Sequence, residues 1–145
     1  MEDRQAAVSM RNIKKVFGTV QANDGVNLDI YRGEILALLG ENGSGKTTLM
    51  NMLSGIYYPD DGQIYIDGEP VSISSPHEAF HYGIGMIHQH FKLVDVFTAA
   101  QNIVLGLKEP GGLDLAKASK RIHEICDTSG FDVDPDQKVY NMSVS

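Results

Sequence analysis

The sequence predicts an α/β domain, and three observations carry that prediction. Ile35–Leu39 is apolar without alternation, the pattern of a strand buried on both faces, and it runs through Gly40 into a helix-periodic segment. Segments with period-two alternation stand before it and after it, which is the antiparallel type. From Phe91 onward the periodicity is helical. With 145 residues, the chain is about the size of one domain. The expected organisation is an α/β core with an antiparallel segment over residues 1–90, followed by the start of a helical subdomain over 91–145.

Residues 8–13 alternate and predict a short strand, with Lys14–Gly18 as a turn-like stretch. Val26, Leu28 and Ile30 alternate with Asn27, Asp29 and Tyr31, a half-buried strand stopped by Arg32 and Gly33. The buried strand Ile35–Leu39 follows. Leu49, Met52, Leu53 and Ile56 recur at helical spacing from Lys46, with Gly55 as a stop and Pro59 beyond. Asp61-Gly62 and Asp67-Gly68 bracket a strand at Gln63–Ile66, and Val71–Ile73 reads as its hairpin partner. Ser75, Pro76 and Glu78 form a helix start: N-cap, first-turn proline and a glutamate reaching back as a capping box. That helix ends by Gly83. Ile84–Ile87 reads as a second buried strand that delivers His88, Gln89 and His90 at its carboxyl end, where open α/β sheets bind ligands. Thr98 caps a helix over Ala99–Leu107 with Ile103, Val104 and Leu107 on its apolar face; Lys108–Gly112 is a loop. Asp114–Thr128 is amphipathic, with Leu115, Ala118, Ile122, Ile125 and Cys126 near one face and Gly130 just past its end.

The chemistry concentrates at Gly40, Glu41, Asn42, Gly43, Ser44, Gly45, Lys46, Thr47 and Thr48. This stretch fits the phosphate-binding pattern G-x-x-x-x-G-K-[ST], in the strand–turn–helix context the pattern requires. Glycines let the backbone curl around an anion and turn successive N–H groups inward. The helix that begins near Lys46 adds its unpaired first-turn amides and the positive end of its dipole. The pattern assigns Lys46 to the β- and γ-phosphates of a nucleoside triphosphate and the Thr47 hydroxyl to Mg²⁺. Gln89, at the end of the second buried strand, is expected to approach the same phosphates.

Composition narrows the class. A net charge of −7 and a pI near 5.0 argue against a general nucleic-acid binder, which needs a basic surface. One cysteine, Cys126, excludes an internal disulfide framework and fits a reducing compartment. No apolar run approaches the ~18 residues of a membrane span, and the polar start is not that of a signal peptide. His77 and His81 lie at i and i+4, and His88 and His90 two apart, but capping and strand-end positions account for them. Asp132, Asp134 and Asp136 resemble a calcium loop only superficially, because Pro135 interrupts the spacing and no Gly–Glu pair completes it. They read as solvated loop charges.

Taken together, these residues resemble the nucleotide-binding subunit of an ATP-binding cassette (ABC) transporter. Phe17, in Lys15–Gly18, sits where that family places an aromatic that stacks on adenine; the phosphate loop follows; Gln89 matches the glutamine that helps hold Mg²⁺ and senses the membrane partner. The resemblance runs from about residue 8 to 145. The stretches Ile84–Val94 and Thr98–Gly106 are similar to bacterial ATPases of simple-sugar and nucleoside importers, in which two cassettes usually lie in tandem. It implies a P-loop NTPase-like cassette core with an antiparallel β subdomain and an incomplete α-helical subdomain, with ATP and Mg²⁺ as ligands. Lys46 and Gln89 are the implied catalytic residues, with Phe17 and Gly40–Thr48 binding the nucleotide and Thr47 and Gln89 the metal. The implied partners are permease subunits, a second cassette and, indirectly, a solute-binding lipoprotein, at the cytoplasmic face of a bacterial membrane; nucleic acid is not among them.

The sequence also departs from the family pattern. Residues 142–145 (Met-Ser-Val-Ser) resemble the opening of the signature L-S-G-G-Q, with Val144 and Ser145 in place of its two glycines. No apolar strand ending in Asp-Glu (Walker B) occurs, and no switch histidine follows one. The resemblance therefore implies an amino-terminal piece of a cassette, which binds nucleotide weakly alone, does not turn it over, and exposes apolar surface. The rival readings are another P-loop NTPase, such as a kinase or GTPase, and a non-catalytic regulatory cassette.

Overall fold

A computed structural model describes residues 5–88, 93–107 and 114–142. The chain divides into two compact units, Met1–Ile87 and His88–Ser145.

The first unit is built on a four-stranded antiparallel sheet in the order β2-β1-β3-β4, where β1 is Ala6–Phe17, β2 Val20–Tyr31, β3 Asp61–Ile66 and β4 Glu69–Val71. Strand β1 runs on to Phe17 instead of turning at Lys14. Lys15 can stay in the strand because its ammonium meets Asp60 at 2.7 Å, and Asp60 also accepts the Val16 N–H at 2.7 Å. The turn is confined to Gly18 and Thr19, and Phe17 pairs with Val20 across it. Asn12, with φ 51°, forms a bulge inside β1, and its N–H donates to Asn27 Oδ1. The hairpin partner of β3 is β4, three residues long; Val71 pairs with Ile64, and Ile73 is buried beyond the end of β4.

One core joins the inner face of this sheet to helix α1, Lys46–Leu53. Met10 and Ile13 from β1, Ile64 from β3, Leu49, Met52 and Leu53 from α1, and Ile73 and Ala79 pack together. Ile56 lies beyond the end of α1 and is exposed. Helix α2, Pro76–His81, is capped as expected by Ser75, whose hydroxyl accepts from the Glu78 N–H at 3.2 Å. The Glu78 carboxylate reaches back one residue further than a capping box. It accepts from the Ser74 N–H and hydroxyl, which hold its carboxyl below the usual range.

The two expected buried strands are absent from the sheet. Ile35–Leu39 and Ile84–Ile87 take no ladder partner among the described residues, and Ile35 is fully exposed, Leu39 89% and Ile87 90% exposed. An apolar run shows that a segment is suited to burial on both faces; it becomes a strand only where neighbours satisfy its N–H and C=O groups.

In the second unit, α3 (Ala99–Ile103) and α4 (Leu115–Ser129) pack through Ala100, Ile122 and Cys126. Thr98 caps α3 in a full capping box with Gln101. Helix α3 is shorter than expected, and of its anticipated apolar face only Val104 is buried, with Ile103 and Leu107 exposed. Asp114 caps α4 by accepting from the Ala116 and Lys117 N–H groups, and Gly130 ends it with φ 72°. Leu115 and Ile125, expected on the packed face, are exposed. The segment after α4 returns to α3: Ala99 N–H donates to Gln137 and Ala100 N–H to Pro135. Among the described residues no helix is long and apolar enough to cross a membrane.

Candidate functional site

Residues 40–45 form a turn that ends on α1. The Ser44 N–H donates to the Glu41 carbonyl at 3.2 Å, and Gly43 and Gly45 take φ 85° and 84°, the left-handed region where a Cβ is strained. Lys46 folds back over this turn. Its ammonium lies 2.7 Å from the Gly40 carbonyl, 2.7 Å from that of Glu41 and 3.2 Å from Ser44 Oγ. A Cβ on Gly40 would meet Ser44 Oγ at 2.9 Å and the Lys46 ammonium at 3.7 Å. The turn therefore encloses one cation, held by two main-chain carbonyls and one hydroxyl. Thr47 is exposed in the first turn of α1 and Thr48 half-buried; Glu41 and Asn42 are exposed on the loop.

The loop rests on β2. A Cβ on Gly45 would lie 2.2 Å from the Ala22 carbonyl oxygen and 2.9 Å from Asn23 Nδ2. Asn23, 5% exposed, points its amide at the Gly45 carbonyl, 3.4 Å away, while its Oδ1 is buried without a partner. Leaving such an oxygen unpaired costs on the order of 1–3 kcal/mol. No motif marks Asn23 in the sequence. By simple alternation from Val26, Leu28 and Ile30, residue 23 should face outward. Ile13 pairs with Val26 but Lys15 with Asn23, so β2 carries one extra residue at Gly25 (φ 67°), and the bulge turns Asn23 inward.

Phe17 stands at the end of β1, 41% exposed. Its ring meets Tyr57 edge to face, with centroids 5.1 Å apart and planes at 67°. The Lys15 ammonium lies 5.5 Å from the Phe17 centroid. Hydrogen bonds from the Lys15 ammonium and the Val16 N–H hold the Asp60 carboxyl below its ordinary range. This network keeps an aromatic ring partly open to solvent, with a tyrosine and a cation against it. Tyr57 follows α1 and carries no sequence signal of its own.

Gln89 lies outside the described residues, as do the anticipated loop at Lys108–Gly112 and the signature-like Val144 and Ser145. In the second unit, His123, Asp134 and Asp136 bring one ligand atom each within 4.8 Å of one another, all three exposed. Asp136 accepts from Ser119 Oγ at 2.9 Å and Asp134 from the Asp136 N–H at 3.0 Å. A closed, desolvated metal shell is not what these residues form.

The family model for ABC transporters matches residues 23–145, from the β2 residue under the loop onward. The chain belongs to the ABC transporter family. It is similar to the guanosine import ATP-binding protein NupO of Bacillus subtilis, 50% identical over 140 residues, 94% of this chain. It is 43% identical over 140 residues, again 94% of the chain, to the ribose import ATP-binding protein RbsA of Caldanaerobacter subterraneus. A solved ATP-binding cassette of an ABC transporter in its ADP conformation superposes with a TM-score of 0.76 at 25% identity, covering 96% of this chain and 59% of that one. The fold is thus the α/β fold of an ATP-binding cassette. The chain spans 27% and 28% of the two curated relatives.

Proposed function

We propose that this chain is the ATP-binding part of an importer ATPase that couples ATP binding and hydrolysis to uptake of a sugar or nucleoside. The observation that carries the reading is the loop Gly40–Thr48 turning into α1 with the Lys46 ammonium at its centre, in a member of the ABC transporter family. The names of the relatives, a guanosine and a ribose import ATP-binding protein, support the class of cargo.

In this reading the loop amides and Lys46 hold the triphosphate, Lys46 exchanging its carbonyl partners for phosphate oxygens. Phe17 offers a face to the adenine, and the Thr47 hydroxyl and Gln89 hold Mg²⁺. The metal, when bound, neutralises charge on the terminal phosphates. Lys46 and the first-turn amides of α1 do the same for charge that develops in the transition state, and the amides, fixed by the helix, need little reorganisation to do so. Permease subunits at the cytoplasmic face of a bacterial membrane and a second cassette are the partners. Gln89 and the helices after it carry the coupling.

The test is ATP hydrolysis by the full-length protein carrying Lys46→Ala, with the tandem site intact. A loss of at least about a hundredfold at this site supports the reading, by the scale of removing one preorganised charge stabiliser. Unchanged turnover would assign hydrolysis elsewhere and leave this cassette a regulatory one. Preference for GTP over ATP would favour another class of P-loop enzyme.

A further inference from the structure

We infer that Asn23 is a positioning residue for the phosphate site: by holding the Gly45 carbonyl it aims the Lys46 N–H into the loop. This inference rests on the proposal that the loop binds ATP.

The Gly45–Lys46 peptide is planar and trans, as no cis bond occurs among the described residues, so its C=O and its N–H point in opposite directions. The Gly45 carbonyl accepts the Leu49 N–H at 2.9 Å, closing the first turn of α1, and the Asn23 amide at 3.4 Å. Both donors pull the carbonyl toward the helix and β2. The Lys46 N–H on the other edge of the same plane is thereby turned away from them, as a first-turn amide with no intrahelical acceptor.

The orientation of the Asn23 side chain is not ambiguous. A carbonyl accepts only, so the nitrogen and not Oδ1 must face Gly45. An apolar side chain of similar size would fill the same space and leave no oxygen stranded. The feature Asn23 offers that such a side chain lacks is the donor aimed at Gly45. The absence of a Cβ on Gly45 belongs to the same device, because β2 approaches to where that atom would sit.

The role separates Asn23 from Phe17, which acts on the nucleobase. A phosphate-positioning residue should matter equally for ATP and for inorganic tripolyphosphate, which has no base. The experiment is calorimetric binding of both ligands, with Mg²⁺, to the full-length protein carrying Asn23→Leu, with Phe17→Ala for comparison. Asn23→Leu is expected to weaken both ligands by about fivefold, the scale of one neutral hydrogen bond. Phe17→Ala should weaken ATP alone. Unchanged affinities, or a loss confined to ATP, would overturn the assignment. Should Asn23→Leu fail to fold, Asn23→Ser, too short to span the gap to Gly45, must show the same parallel loss, and full retention would overturn it. A wild-type protein that binds neither ligand defeats the ATP-binding reading itself, and this inference with it.

Discussion

Replacing Gly45 with alanine puts a methyl group where β2 already is. The new Cβ would lie 2.2 Å from the Ala22 carbonyl oxygen, so the loop or the strand must retreat by on the order of 1 Å to reach ordinary contact. Three contributions add. Holding a residue with a Cβ at φ 84° costs about 1–2 kcal/mol. The displaced packing costs about 1–3 kcal/mol, and losing the Asn23 hydrogen bond about 1 kcal/mol more. The total is about 4 kcal/mol, or roughly 10–15 °C in unfolding midpoint for a domain of this size. Gly18→Ala is the matched control. Gly18 also has positive φ, 59°, but a Cβ there meets nothing within 4 Å, so only the strain of about 1–2 kcal/mol applies. Thermal unfolding of the two variants beside the parent is the assay. Midpoints for the two alanine variants within about 2 °C of each other would refute the argument that β2 forms the floor of the loop, since about 1 kcal/mol moves the midpoint further than that.

Phe17→Ala should weaken ATP by about 1–3 kcal/mol, roughly five- to 150-fold, the range of aromatic–base stacking; equal affinity in an equilibrium titration would return Phe17 to a purely structural role. The carboxyls of Asp29 and Asp60 are both held low, the first by the Ser9 hydroxyl and then Arg11, the second by Lys15 and then Val16. A folded pKa below the unfolded value adds stability that is fully present above about pH 4 and lost as pH falls through the folded pKa. Urea midpoints should therefore be level from pH 7 to 5 and drop below 4. Asp60→Asn should shallow that drop, and an unchanged profile would count against the Lys15–Asp60 contact.

The glycine turn and the helix that starts at Lys46 were the most legible part of the chain, because both are set locally, by Gly43, Gly45 and the helical spacing that follows. Caps were legible for the same reason, at Ser75 and Thr98, whereas Asp114, expected inside its helix, caps it. The strands expected at Ile35–Leu39 and Ile84–Ile87 were not, since pairing is a property of neighbours, and an apolar run names none. The full length of β1 is not legible locally, because Lys14 and Lys15 look like turn residues until Asp60 and Asp61, far along the chain, are placed beside them. Asn23 escaped because a single bulged glycine reverses which face an alternating strand presents.

The hairpin of β1 and β2 is fastened to α1 beyond both of its ends. Asn23 grips the backbone just ahead of the helix, while Tyr57 and Asp60, shortly after it, meet Phe17, Lys15 and Val16. The hairpin thereby acts as a splint. The ring at its tip and the turn at its waist keep a fixed spacing, and an incoming molecule long enough to touch both is measured against a ruler that does not have to be assembled first.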